Sequence, residues 1–365
     1  MATTYAIPDG RTVMAATTYT GTGVTQTINN AVNGVSFQPD FIWGKARSAA
    51  YGSALFDSNR GFGSTKGLVT SLTQAEGTVS AQYGYISTNT STGFTANAGT
   101  DGSNPNAALN ESGVTYVAWQ WKASNTTAVT NTSGTITSSV SANPTAGFSI
   151  VTWTGKISYP DTIGHGLGVT PSMIIVKNRN YAPGINWAVY HTSLGNTKAL
   201  YLNSTAATTT DIGFWNNTDP TSTVFTTGNG VGYSTGGNTN TYVAYCFVPV
   251  SGYSAFGSYT GNGSSDGPFI YTGFRPRWIM IKQSSAAGED WLIQDTSRFP
   301  YNVSTTNTTL YADSSAVETN SSAQLWDVLS NGFKLRASGG GINTSGATYI
   351  YAAFAENPFK YANAR

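Results

Sequence analysis

Asp57 lies three residues before Arg60, and Asp295 lies three before Arg298. With Glu76, Glu289 and Asp290, these are the carboxylates whose type suits general acid–base chemistry. Glycan cleavage needs two such groups about 5–10 Å apart. A carboxylate–guanidinium pair that recurs along a chain instead reads as an ion pair closing a turn, and mid-chain that place holds His191 and Leu194. Glu289-Asp290 reads as a solvated turn before Trp291. His165 and His191 stand outside any His-x-x-x-His spacing, and Cys-x-x-Cys is absent, so no metal centre is expected. His165 sits in the turn-like Gly164-His165-Gly166-Leu167-Gly168 and reads as a packed or exposed turn residue. No nucleophile elbow, Walker loop or dinucleotide fingerprint precedes a helical pattern, and Ser338-Gly339-Gly340-Gly341 reads as loop glycines. The sequence thus points to no catalytic residue and no cofactor, and to a protein that is not an enzyme.

The elements around these residues are written three times. The copies open on Tyr19-Thr20-Gly21, Trp153-Thr154-Gly155 and Tyr259-Thr260-Gly261. Each then has a proline followed six residues later by a lysine: Pro39 and Lys45, Pro171 and Lys177, Pro276 and Lys282. Each closes on an aromatic strand beginning at Thr115, Thr241 or Thr348, at 76, 70 and 72 residues from its proline. Three anchors in one order at one spacing mark a tandem array. We read an N-terminal segment at 1–13 (a possible docking peptide), β-modules at 14–121, 148–250 and 251–365, and a Ser/Thr/Asn-rich linker at 122–147 with residual β-character, whose centre Thr135–Val140 could add a strand. Modules of about 100 residues can bury cores of their own. The long linker makes copies 1 and 2 the more loosely coupled pair.

Within a copy the apolar runs are short, rich in Val, Ile, Tyr, Trp and Thr, and bounded by Gly, Asn, Pro or Ser. These are strand signals, and helical periodicity is nearly absent. The expected fold is all-β: three tandem antiparallel modules of β-sandwich or jelly-roll type. Each proline removes a backbone donor and so belongs at a strand entrance or edge. Charged residues make up 10% of the chain and the net charge is +1, which leaves no footprint for nucleic acid or an anionic membrane. No apolar run reaches the ~18 residues that would suggest membrane insertion, and Met1–Tyr5 has no signal-peptide pattern. The single cysteine, Cys246, reads as a buried small apolar residue. Most tryptophans fall on strands and belong in cores. Trp215, beside Asn216 and Asn217, and Trp326 are the better candidates for exposed binding contacts.

The stretch Phe37-Gln38-Pro39-Asp40-Phe41-Ile42-Trp43-Gly44-Lys45-Ala46-Arg47, with Leu55-Phe56-Asp57-Ser58-Asn59-Arg60-Gly61, resembles a repeat domain in virion proteins of tailed bacteriophages, many of them marine. Gly164–Pro171 and Ala352–Phe359 are similar to the same family. The resemblance implies a virion structural protein, made in the host cytoplasm, that serves as a tail-fibre-like part or surface appendage for host attachment or particle decoration. Its expected partners are other virion proteins and a host surface glycan or receptor, and a homo-oligomer is expected, with a trimer favoured. The alternatives are a capsid decoration protein without receptor role, a secreted glycan-binding adhesin and, last, a polysaccharide depolymerase. Specificity is expected where the copies differ, around Asn104, Trp215 and Gly340.

Overall fold

A computed structural model describes residues 5–103, 108–124, 126–181, 184–228, 235–300, 302 and 305–358. The chain is nearly all β. Copy 1 runs β1 (Met14–Thr20), β2 (Gln26–Asn29), β3 (Phe41–Ala46), β4 (Ala54–Asp57), α1 (Ser80–Tyr83), β5 (Tyr85–Thr90), β6 (Gly93–Asn97) and β7 (Thr115–Trp121). Next come β8 (Val129–Asn131) and β9 (Ser138–Asn143). Copy 2 holds β10 (Phe148–Thr154), β11 (Asp161–Gly164), β12 (Met173–Asn178), β13 (Ala188–His191) and β14 (Lys198–Tyr201). It continues with β15 (Thr209–Thr210), α2 (Ile212–Trp215), β16 (Val224–Thr227) and β17 (Thr241–Phe247). Copy 3 holds β18 (Ser254–Thr260), β19 (Phe269–Tyr271), β20 (Phe274–Gln283), β21 (Leu292–Asp295) and β22 (Asn307–Tyr311). It ends with β23 (Thr319–Ser321), β24 (Trp326–Leu329), β25 (Gly332–Leu335) and β26 (Thr348–Pro358).

One topology recurs. The opening strand pairs with the closing strand, which pairs with the lysine strand, which pairs with the next strand: β1-β7-β3-β4, β10-β17-β12-β13 and β18-β26-β20-β21. All these pairings are antiparallel. A smaller sheet accompanies each: β2-β6-β5, β11-β16 and β19-β25-β24.

Strand periodicity sorts the side chains between two cores. On β7, Val117, Trp119 and Trp121 enter a cluster common to all three copies, whereas Ala118 joins copy 1's own outer cluster. On β17, Val243, Tyr245 and Phe247 go inward, and Tyr242, Ala244 and Cys246 go to copy 2's outer cluster. With both faces covered, these central strands read as unbroken aromatic and aliphatic runs. At the centre Phe41, Trp121, Phe148, Phe247, Trp278 and Phe354 meet edge-on, tilted or stacked, with centroids 4.9–6.4 Å apart. The inward faces of the three copies therefore share one core where the sequence suggested separate ones. Gly44 faces the other side of β3, into copy 1's outer cluster: a β-carbon there would stand 2.4 Å from Leu109 Cδ2.

The three prolines sit where a missing donor is tolerated. Pro39 and Pro171 precede β3 and β12, and Pro276 lies at a register irregularity of β20. Residues 122–147 are more than a linker. β9 pairs with β10 and β8 with β9, extending copy 2's large sheet. The Asn59 side-chain amide of copy 1 donates to Ser139 O at 2.8 Å and Ile150 O at 2.9 Å, which ties copies 1 and 2 together. β9 begins within the Thr135–Val140 stretch that the sequence offered as a possible added strand, and the short β8 forms the sheet's edge. Residues 1–4 of the expected docking peptide lie outside the described residues. Ile7 and Val13 are buried in the common core, so the rest of that segment is packed and not held out.

Candidate functional site

The residues that repeat with the copies gather where one copy meets the next. Lys45, Lys177 and Lys282 are fully buried. Each ammonium donates to one carbonyl of its own copy and one of a neighbour. Lys45 reaches Tyr51 O (2.6 Å) and Ser314 O (3.0 Å). Lys177 reaches Ile185 O (2.5 Å) and Thr73 O (2.8 Å). Lys282 reaches Glu289 O (2.5 Å) and Thr205 O (3.2 Å). Copy 1 thus grips copy 3, copy 2 grips copy 1, and copy 3 grips copy 2. Burial disfavours the charged form. It pushes Lys45 down to about 8, Lys177 down to about 7, and Lys282 below the usual ammonium range.

The Asp–Arg pairs lie in the same seams. Asp57 accepts from Arg60 Nε at 2.5 Å, Arg60 Nη1 meets Glu76 at 2.9 Å, and Glu76 meets Arg179 of copy 2 at 2.6 Å. The Tyr245 hydroxyl of copy 2 donates to Asp57 Oδ2 at 2.7 Å. The seam between copies 3 and 1 repeats this relay. Asp295 meets Arg298 at 2.6 Å, Arg298 meets Glu318 at 2.8 Å, and Glu318 meets Arg47 of copy 1 at 2.8 Å. The Trp119 indole N–H of copy 1 donates to Asp295 Oδ2 at 2.9 Å. Burial alone would raise Asp295; Arg298 and Trp119 hold it below the usual carboxylate range.

The seam between copies 2 and 3 keeps the backbone link and loses the charges. Glu76 N to Arg179 O (2.7 Å) and Glu318 N to Arg47 O (2.8 Å) correspond to Thr208 N to Ser284 O (3.1 Å). His191 occupies the aspartate place, and its Nε2 lies 3.2 Å from Tyr351 O. Leu194 replaces the arginine and packs on the common core. Burial lowers His191 to about 4, so it is neutral at pH 7.

One further carboxylate group is chemically suggestive. Burial, then the neighbouring Asp290, pushes Asp313 up to about 7, close to Lys282. Asp313 Oδ1 accepts from Trp291 N at 3.0 Å. In copy 2 Asn203 Oδ1 makes the same bond to Trp187 N at 2.9 Å, so the position works without a carboxylate. Among the described residues no three His, Cys, Asp or Glu side chains form a metal-holding group.

A cleft of about 450 Å³ opens in copy 1 between Tyr51–Ala54, Gly67–Leu72 and α1. The copies differ in the residues around it. Ser53 stands where Trp187 and Trp291 stand in copies 2 and 3. Trp187 is used in the neighbouring seam, donating to Val69 O (3.2 Å) and Leu72 O (3.1 Å) on the cleft's own wall. α1 brings Ser80 and Gln82, whereas α2 carries the buried Phe214 and Trp215. A β-carbon on Gly67 would stand 2.4 Å from Ser80 Cβ, so glycine lets α1 approach the wall. Ser53 is 1% exposed, and its hydroxyl has no hydrogen-bond partner.

The tryptophans expected at the surface are buried. Trp215 is 2% exposed, donates to Lys198 O at 3.1 Å and packs edge-on against Tyr190; Trp326 is 0% exposed. Their polar neighbours misled because they end α2: Asn216 and Asn217 adopt φ of 53° and 48°. Asn216 is half-buried and Asn217 exposed, so neither tryptophan joins them in a surface site. Asn104 lies outside the described residues. Cys246 is buried as expected, and burial raises its thiol. The cleft's signal was present in the sequence as the Ser–Trp–Trp difference at 53, 187 and 291.

These features define an all-β protein whose three copies clasp each other in one cyclic sense. The chain belongs to a family described as a Domain of unknown function (DUF7483), whose model matches residues 10–358 and so runs through all three copies. No curated protein and no solved structure matches it significantly.

Proposed function

We propose that this chain is a non-enzymatic structural protein of a tailed-bacteriophage particle, a tail-fibre-like part or surface appendage built of three β-sandwich modules closed into a pseudo-threefold ring. The observation that carries this reading is where the buried charges go. Lys45, Lys177 and Lys282, and both Asp–Arg–Glu relays, repeat with the copies and are spent on seams between them. Catalysis places its ionisable groups once, in one cleft; rigidity repeats them. The resemblance of Phe37–Arg47 to phage virion repeats supports the assignment to a particle. In this reading the outer surface meets other particle proteins and a host glycan or receptor, and the chain assembles as a homo-oligomer, with a trimer favoured.

Mass spectrometry and immunogold labelling of gradient-purified particles test this. The protein is expected in intact particles at a fixed number of copies, with label on the tail or shell. Its absence from purified particles overturns the proposal.

A further inference from the structure

We infer that the cleft of copy 1 is a binding site for one uncharged, hydroxyl-rich sugar residue. The inference rests on the particle-surface reading only for the source of that sugar, a host surface glycan.

Three observations converge. First, the cleft of copy 1 lies beside two positions that hold aromatic rings in copy 2 and polar side chains here: Ser53 in place of Trp187, and Gln82 in place of Phe214. Its volume of about 450 Å³ falls within the ~300–1,000 Å³ typical of small-molecule sites. Second, Ser53 lines the cleft with a buried hydroxyl that nothing in the protein satisfies. An unsatisfied buried hydroxyl costs ~1–3 kcal/mol, which a rotation of Ser53 toward a ligand hydroxyl in the cleft would relieve. Third, no side chain lining the cleft carries a charge. Its polar groups are the amides of Gln74 and Gln82, the hydroxyl of Thr78 and the phenol of Tyr83, set against Leu68, Val69 and the ring of Tyr51, whose own hydroxyl is held by Glu111. Amides donate to and accept from hydroxyls in pairs, and apolar and aromatic faces cover the C–H face of a sugar ring. Without Lys or Arg, the site has nothing to hold a carboxylate or phosphate.

Saturation-transfer NMR on the full-length protein tests this, with glucose, galactose, mannose and N-acetylglucosamine as probes and glucuronate as the anionic counterpart. At least one neutral sugar is expected to receive transfer at millimolar concentration, and glucuronate none. Ser53→Trp, which copies the other two modules, is expected to weaken binding at least about tenfold. Gln82→Ala, at an exposed position outside the core, is expected to weaken it as well and guards against misfolding of the first variant. The inference is overturned if no neutral sugar binds, as when the cleft holds only water, if glucuronate binds equally, or if both variants bind like the parent. Presence in particles without sugar binding sinks the inference alone, whereas sugar binding without presence in particles sinks the proposed function alone.

Discussion

The seam between copies 3 and 1 is ionic and the seam between copies 2 and 3 is neutral, although backbone and lysine links recur in both. Asp295, Arg298, Glu318, Arg47 and Trp119 build the first. His191, Leu194, Thr208, Ser284 and Tyr351 build the second. The exchange is concerted. A buried charge deprived of its partner is strongly destabilising, whereas a whole ion set replaced by well-packed neutral groups is nearly neutral. Charge at a seam is therefore optional, but complete pairing within a seam is not. What every seam keeps is the lysine bridging two backbones.

This contrast can be broken from either side. The largest expected effect is from Arg298→Met, which leaves Asp295 and Glu318 without their shared cation. Urea denaturation at pH 7 should show a loss of about 4–5 kcal/mol, near the top of the range for a broken buried pair. Restoring compatibility with Asp295→His and Glu318→Thr in the same chain, as His191 and Thr208 stand in the neutral seam, should recover much of it.

The lysines come next. Lys177 sits at about 7 when folded, against an ordinary value near 10.5. Between those values the unfolded chain binds the extra proton, so stability should rise with pH from about 7 to about 10. The contribution is on the order of a few kcal/mol. Lys177→Met should flatten that slope in denaturation curves taken across the window; an unchanged slope would refute the assignment.

Acid separates the seams. His191 is near 4 when folded and near 6.5 unfolded, so its stabilisation of the neutral seam is complete above about 6.5 and lost as pH falls toward 4. That loss is about 3 kcal/mol. Asp295, held below its ordinary 3.8, keeps its stabilising effect through that window and loses it only at lower pH. Hydrogen exchange at pH 5 should loosen the contacts of His191 with β26 before those of Asp295 with β7. The smallest effect is expected of Leu194→Ala, about 1 kcal/mol in the same urea assay, because a half-buried aliphatic group leaves no orphaned charge behind.

The anchors of this architecture were legible in the sequence: Pro39, Lys45, Asp57, Arg60 and their counterparts all fall at structural contacts. Half of each contact was not. Ser314, Thr73 and Thr205 are partners through their backbone carbonyls, which every residue has, so no side-chain pattern announces them. Trp215 and Trp326 are buried against expectation because exposure is settled by what folds over a residue, and an Asn-rich neighbourhood can end a helix as readily as it faces water. The shared core escaped notice for a related reason. Alternation predicts two faces for each strand and does not say whose sheet covers the second.

The central claim is that the three copies form one closed body, each seam supported by the other two. Hydrogen-exchange mass spectrometry on Arg298→Met at pH 7 tests it most directly, because the substitution touches copies 1 and 3 only. The account predicts that β12 and β17 of copy 2 lose protection together with β7 and β21. Loss confined to copies 1 and 3, with copy 2 protected as in the parent, would contradict it.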